Sequence, residues 1–93
     1  MTNLKTYRNE LDKIDNEIFD QIVKRLKIIE KVAKYKIENN IELYHPQREK
    51  EMIKNKIKLA KQYNLDQELA EDLMKFLLKY SHKLQNSIMT NDK

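Results

Sequence analysis

Apolar residues recur at heptad spacing along the first part of the chain: Leu4, Tyr7, Leu11, Ile14 and Ile18, then Ile28, Val32 and Tyr35. That period marks one face of a helix. No proline or glycine interrupts it between about 4 and 39. The pattern predicts a single helix roughly 50 Å long at 1.5 Å per residue. "ENNIELYH" then reads as a loop. Pro46 suits the first position of a second helix, about 46–62, whose stripe is Glu49, Ile53, Ile57 and Ala60. "YNLD" reads as a turn, with Asp66 as the N-cap of a third helix over about 67–88. Leu69, Leu73, Leu77, Leu84 and Ile88 run along one side of that helix, and "TNDK" reads as a frayed tail.

The expected fold is all-α, a single domain over 1–93 with three helices, the first very long. Such a helix has little to pack against inside one small chain, because two shorter helices cannot cover both of its halves. An intertwined two-fold homodimer solves this. The alternative is a monomeric three-helix bundle with a bent first helix.

Polar residues intrude on each inward stripe. Gln21 and Arg25 occupy places where the first helix asks for apolar groups. A buried arginine needs a partner, because an unpaired buried charge is costly. Lys36 lies eleven positions beyond Arg25, which leaves the two about 20° apart around the helix and about 16 Å apart along it. Their side chains can converge on a small anion, or each can snorkel to solvent. In the second helix Arg48 and Glu49 lead the apolar face. In the third, the stripe Ala70, Met74, Leu77, Ser81, Gln85 turns polar without turning charged; a fraying end is the plain reading of that feature alone. Together the three patches point to a cavity between helices, lined by cations and a few neutral hydrogen-bonding groups. Its ligand is expected to be small, multiply anionic and partly hydroxylated, with Glu49 accepting from a hydroxyl or orienting a cation.

Composition narrows the chemistry. The 93 residues carry a formal net charge of +4, with no cysteine and no glycine. Disulfides and thiolate metal sites are excluded, and so are glycine-rich phosphate loops. His45 and His82 cannot make a metal site alone, so no metal or cofactor is expected. No apolar run approaches the ~20 residues of a membrane span, and "MTNLKTYRNELDK" lacks the apolar core of a signal peptide. A cytoplasmic protein that makes no membrane contact is expected. Asp20–Lys24, Glu30–Lys34 and Glu71–Lys75 have the spacing of exposed helix pairs, so most lysines read as solvated.

At these residues the chain resembles the all-helical class of chorismate mutases. The resemblance runs from "YRNELDKIDNEI" through "KRLKIIEKVAKYK" and "HPQREKEMI" to "YSHKLQ". It implies an intertwined homodimer with two equivalent active sites and no cofactor. It implies that Arg8 reaches into the partner's site and that Arg25 is the second carboxylate-binding arginine. Lys36 and Gln85 match the pair on the ether oxygen of the breaking bond, Glu49 the acceptor for the ring hydroxyl, and Arg48 and Ser81 supporting substrate-binding residues. Position 45 departs from the pattern, since the family commonly has Asp where this chain has His45. Histidine is a poor N-cap, so the second helix is expected to start more loosely. A backbone contact from His45 to substrate survives the change; a side-chain contact does not.

The implied reaction is the pericyclic rearrangement of chorismate to prephenate in phenylalanine and tyrosine biosynthesis. It needs no nucleophile, so the lack of a Ser/His/Asp or Cys/His set does not exclude an enzyme. The related isochorismate-pyruvate lyase is the near alternative; Glu49 together with Gln85 favours the mutase. A non-catalytic basic module would need its cations on an exposed face. No nucleic-acid partner is expected, because no glycine-containing helix-turn-helix or aromatic stacking platform is visible.

Overall fold

The computed structural model of the chain describes residues 3–91. They form α1 (Leu4–Glu38), α2 (Pro46–Gln62) and α3 (Gln67–Asn91). The three helices stand where the apolar periods predict them, except that α3 runs past Ile88. No helix breaker lies there, and the Thr90 hydroxyl donates to the Asn86 carbonyl at 2.9 Å. Of the expected frayed tail, Thr90 and Asn91 are helical, and Asp92 and Lys93 lie outside the described residues. Two of the three expected exposed pairs are closed, Glu30–Lys34 at 3.1 Å and Glu71–Lys75 at 2.9 Å.

Each boundary has a local cause. The Asn3 side chain accepts from the Thr6 N–H at 3.0 Å and caps α1. The Asp66 carboxylate accepts from the Glu68 N–H at 2.9 Å and caps α3. The ends of α1 and α2 share one device. Asn40 and Asn64 have φ of 56° and 54°, the left-handed region, which asparagine tolerates better than most residues. After α1, Asn40 N–H donates to Ile37 O and Ile41 N–H to Lys36 O; after α2, Asn64 N–H donates to Lys61 O and Leu65 N–H to Ala60 O. Both are Schellman ends. In a chain without glycine, asparagine supplies the reversal twice.

The helix α3 is the shared element, and α1 and α2 each pack on it. Its buried face is Ala70, Met74, Leu78, Ser81 and Gln85, close to the expected stripe, with Ala33 and Ala60 the buried contributions of α1 and α2. Small residues at these points let the helices approach closely. Ser81 and Gln85 therefore belong to the core and not to a fraying end.

The heptad stripe of α1 faces away from this core. Leu4, Tyr7, Leu11, Ile14 and Ile18 are 50–61 % exposed, and no residue from Leu4 to Asp20 is even half-buried. What packs on α3 is a second stripe, about 100° around the helix, through Ile22, Leu26, Ile29 and Ala33. The radius of gyration is 17.0 Å, against roughly 12 Å for a compact chain of this length. The first helix is continuous over 35 residues, and the chain extends 58 Å along its longest axis. Among the described residues, no helix is long and apolar enough to cross a membrane.

The asparagine reversals carry a prediction. Asn64→Gly should leave stability unchanged or raise it, whereas Asn64→Val should lower it by about 1–2 kcal/mol, the cost of a branched residue in the left-handed region. Urea unfolding at one fixed protein concentration measures both. Equal midpoints for the two variants would show that the reversal at position 64 is not strained.

Candidate functional site

A cavity of about 280 Å³ lies where the three helices meet. Its floor is apolar, from Ile29, Val32, Met52 and Leu78, and its polar groups come from every element. Arg25 and Lys36 project from α1, Arg48 and Glu49 from the first turn of α2, and Ser81, His82 and Gln85 from α3, with His45 at the rim. Seven of the eight site residues expected from the sequence thus converge on one space. Arg8 does not: it stands exposed on the projecting half of α1, about 25 Å from Arg25 along the helix axis.

Arg25 is half-buried and answers its own cost. Its Nη1 donates to Ser81 Oγ at 2.5 Å and to the Leu77 carbonyl at 3.5 Å, while Ser81 Oγ donates onward to the same carbonyl at 2.9 Å. Burial draws the guanidinium below its ordinary pKa, but an arginine titrates so far above neutrality that it stays charged. With Nη1 committed to α3, Nε and Nη2 remain to grip a carboxylate in the forked manner of arginine. Lys36 Nζ donates to the Leu43 carbonyl at 3.0 Å, which ties the 39–45 loop back to α1. An ammonium has three donors, so two are left for a ligand.

The Gln85 amide is 6 % exposed, and its Oε1 has no hydrogen-bond partner. A buried acceptor in that condition costs roughly 1–3 kcal/mol. A ligand that donates to it removes the cost, and so does a turned amide that presents its N–H to a ligand oxygen. Three cations and one carboxylate line the space, so its field favours an anion carrying more than one charge.

Two features were misjudged or missed from sequence. His45 does cap α2, with its Nδ1 accepting from the Arg48 N–H at 3.0 Å. Nδ1 stands as many bonds from Cα as an aspartate Oδ1, so a neutral imidazole can fill the aspartate's place; the expected loose start is corrected. From sequence His82 carries no expected role; it and His45 cannot make a metal site alone. Its Nε2 lies 2.7 Å from Glu49 Oε2. The signal available was positional: His82 lies three residues before Gln85, a neighbouring position on the same side of the helix. Among the described residues, no group of three His, Asp or Glu is arranged to hold a metal ion.

Residues 7–86 match the model of the type II chorismate mutase family. The chain belongs to that family. It is 32 % identical over 87 residues to a bifunctional chorismate mutase/prephenate dehydratase of Buchnera aphidicola subsp. Acyrthosiphon pisum, covering 94 % of this chain and 23 % of that protein. It is 29 % identical over 86 residues to the T-protein of Haemophilus influenzae, covering 92 % of this chain and 23 % of that protein. A chorismate mutase of Methanocaldococcus jannaschii is 29 % identical over 86 residues, 92 % of this chain and 87 % of that protein. The chain thus spans less than a quarter of the two longer relatives and most of the shorter one. The family match includes every candidate site residue from Arg8 to Gln85.

The His45 cap is testable apart from any chemistry. His45→Ala should cost about 1 kcal/mol of stability, and His45→Asp should restore it, as capping exchanges do. Urea midpoints at matched concentration read this out. An alanine variant as stable as the parent would mean that the Nδ1 hydrogen bond contributes nothing to α2.

Proposed function

We propose that the chain is a chorismate mutase that rearranges chorismate to prephenate, and that it works as a homodimer. The observation that carries the reading is the meeting of Arg25, Lys36, Arg48, Glu49, Ser81 and Gln85 on one cavity, in a chain of this family. The lyase alternative draws no support from the relatives, whose names specify mutase activity where they specify a reaction on chorismate.

The reaction is concerted: a carbon–oxygen bond breaks as a carbon–carbon bond forms, and no proton or electron enters or leaves. Two things can accelerate it. The first is confinement of the flexible substrate in its compact reactive shape, a proximity effect. Arg25 grips one carboxylate, and Arg8 of the partner subunit grips the other, with Arg48 in support. The second is stabilisation of the negative charge that gathers on the ether oxygen, by donors already in place. Lys36 keeps free donors while the Leu43 carbonyl fixes its direction. Gln85 is buried in the core, where its amide can present an N–H to the ether oxygen. Glu49 accepts from the ring hydroxyl.

The exposed stripe supports the dimer. A groove of about 500 Å³ along Ile14, Ile18, Ile22, Leu73 and Leu77 adjoins Arg25. Its lining is mostly apolar, which suits the apolar face of a helix better than an anion. The second copy's α1 fills it in the proposed assembly, which brings that copy's projecting N-terminal half towards the cavity.

The direct test is consumption of chorismate by the purified protein, followed by loss of its absorbance, with prephenate identified as product. Gln85→Glu sharpens the test. A glutamate at this place can donate to the ether oxygen only while protonated, and its anion repels the developing charge. Activity of that variant should be confined to acidic solution and fall as pH rises, by on the order of a hundredfold between about pH 5 and 8, since one proton per site is lost over several pH units. A variant equally active at both would show that Gln85 does not face the reacting oxygen.

A further inference from the structure

His82 is held on two sides. Its Nε2 meets Glu49 Oε2 at 2.7 Å. Its ring lies against the Tyr44 ring, centroids 4.7 Å apart and planes tilted by 60°. The Tyr44 hydroxyl in turn donates to Asn86 Oδ1, one turn beyond His82 on α3. The loop before α2, α2 itself and α3 are therefore joined through this one imidazole. Glu49 and His82 also form the wall between the cavity and a separate groove flanked by Lys75, Lys79 and Lys83.

The pair answers an electrostatic difficulty. Glu49 is the one carboxylate in a cavity whose other charges are cations. Left free, it would swing onto Arg48 or Lys36, occupy donors that an anionic substrate needs, and repel that substrate's own carboxylates. The 2.7 Å contact of Oε2 with the imidazole opposes that swing. Its Oε1 remains to accept from a hydroxyl.

We propose that His82 is a positioning residue that fixes Glu49 as the acceptor for the substrate's ring hydroxyl, and so sets affinity for a hydroxylated cyclic dicarboxylate. The inference rests on the chorismate mutase reading and adds to it a residue that acts through another. It predicts an effect on binding more than on turnover, because the hydroxyl lies away from the bonds that change and its contact is as strong in the bound substrate as in the transition state.

The test is steady-state kinetics with chorismate on wild type, His82→Gln, His82→Phe, Glu49→Ala and the double variant His82→Phe/Glu49→Ala. Phenylalanine keeps the ring against Tyr44 and removes the donor. Glutamine places an amide N–H at the same number of bonds from Cα as Nε2. His82→Phe should raise KM about tenfold with kcat within about twofold, the effect of one lost charge-assisted hydrogen bond. His82→Gln should restore KM to within about threefold of wild type. In the Glu49→Ala background, His82→Phe should change KM by less than about twofold, because the group it positions is gone. A wild-type KM in His82→Phe overturns the inference, as does an equal rise in KM with and without Glu49. If wild type itself leaves chorismate unchanged, the mutase reading and this inference fall together; an active wild type with an insensitive His82 overturns the inference alone.

Discussion

The N-terminal half of α1 carries Leu4, Tyr7, Leu11, Ile14 and Ile18 on one face, and that face is left largely exposed by the described residues of the chain. Each large apolar side chain left in water forgoes roughly 1.5–3 kcal/mol relative to burial. A small domain has little stability to spare. A helix of 35 residues, half of it unsupported, cannot be a stable free-standing element in water. The stripe needs a covering surface, and the self-complementary candidate is the same stripe on a second copy. An extended chain follows from that constraint, and in the proposed assembly the same contact brings Arg8 of the partner subunit to the site.

The site sits where covering is most expensive to arrange. Arg25 stands at the boundary between the two stripes of α1, one packed on α3 and one exposed. Its charge is tolerated because Ser81 and the Leu77 carbonyl are built into the neighbouring helix to receive it. Gln85, one turn along, remains with an unpartnered oxygen in the core. A core designed for stability alone would place apolar groups at all three positions. Their presence exchanges packing for a preorganised set of donors, which is what a reaction limited by substrate shape and charge development requires.

Much of this was legible in the chain. Periodicity located all three helices, and the polar breaks in their stripes named six of the residues that meet in the cavity, with His45 added by the family resemblance. What stayed hidden was of two kinds. Direction around the helix was one: the strongest stripe of α1 reads as a core face, yet inside a single chain the weaker stripe through Ile22, Leu26 and Ala33 is the one that packs. Periodicity shows that a face is apolar and not which molecule covers it. The other was side-chain chemistry across long separations. The 2.7 Å contact of His82 with Glu49 joins residues 33 apart in sequence, and neither residue's local pattern announces the other. The His45 cap was misread because residue-type preferences average over geometries, and here the imidazole nitrogen reaches as an aspartate oxygen does.

The central claim is that two copies share each site. Arg8 and Arg25 lie about 25 Å apart along α1 and point roughly 100° apart around it, so one chain cannot bring both to one ligand. Arg8→Ala and Arg25→Ala should each be nearly inactive when alone. Mixed in equal amounts under conditions that exchange subunits, about half the dimers become hybrids. One site of each hybrid then takes Arg25 from the first variant and Arg8 from the second, and the other site lacks both. Chorismate turnover should recover to roughly a quarter of wild type, by that two-fold arithmetic. If mass spectrometry of labelled subunits confirms exchange and no activity returns, the shared-site account is wrong.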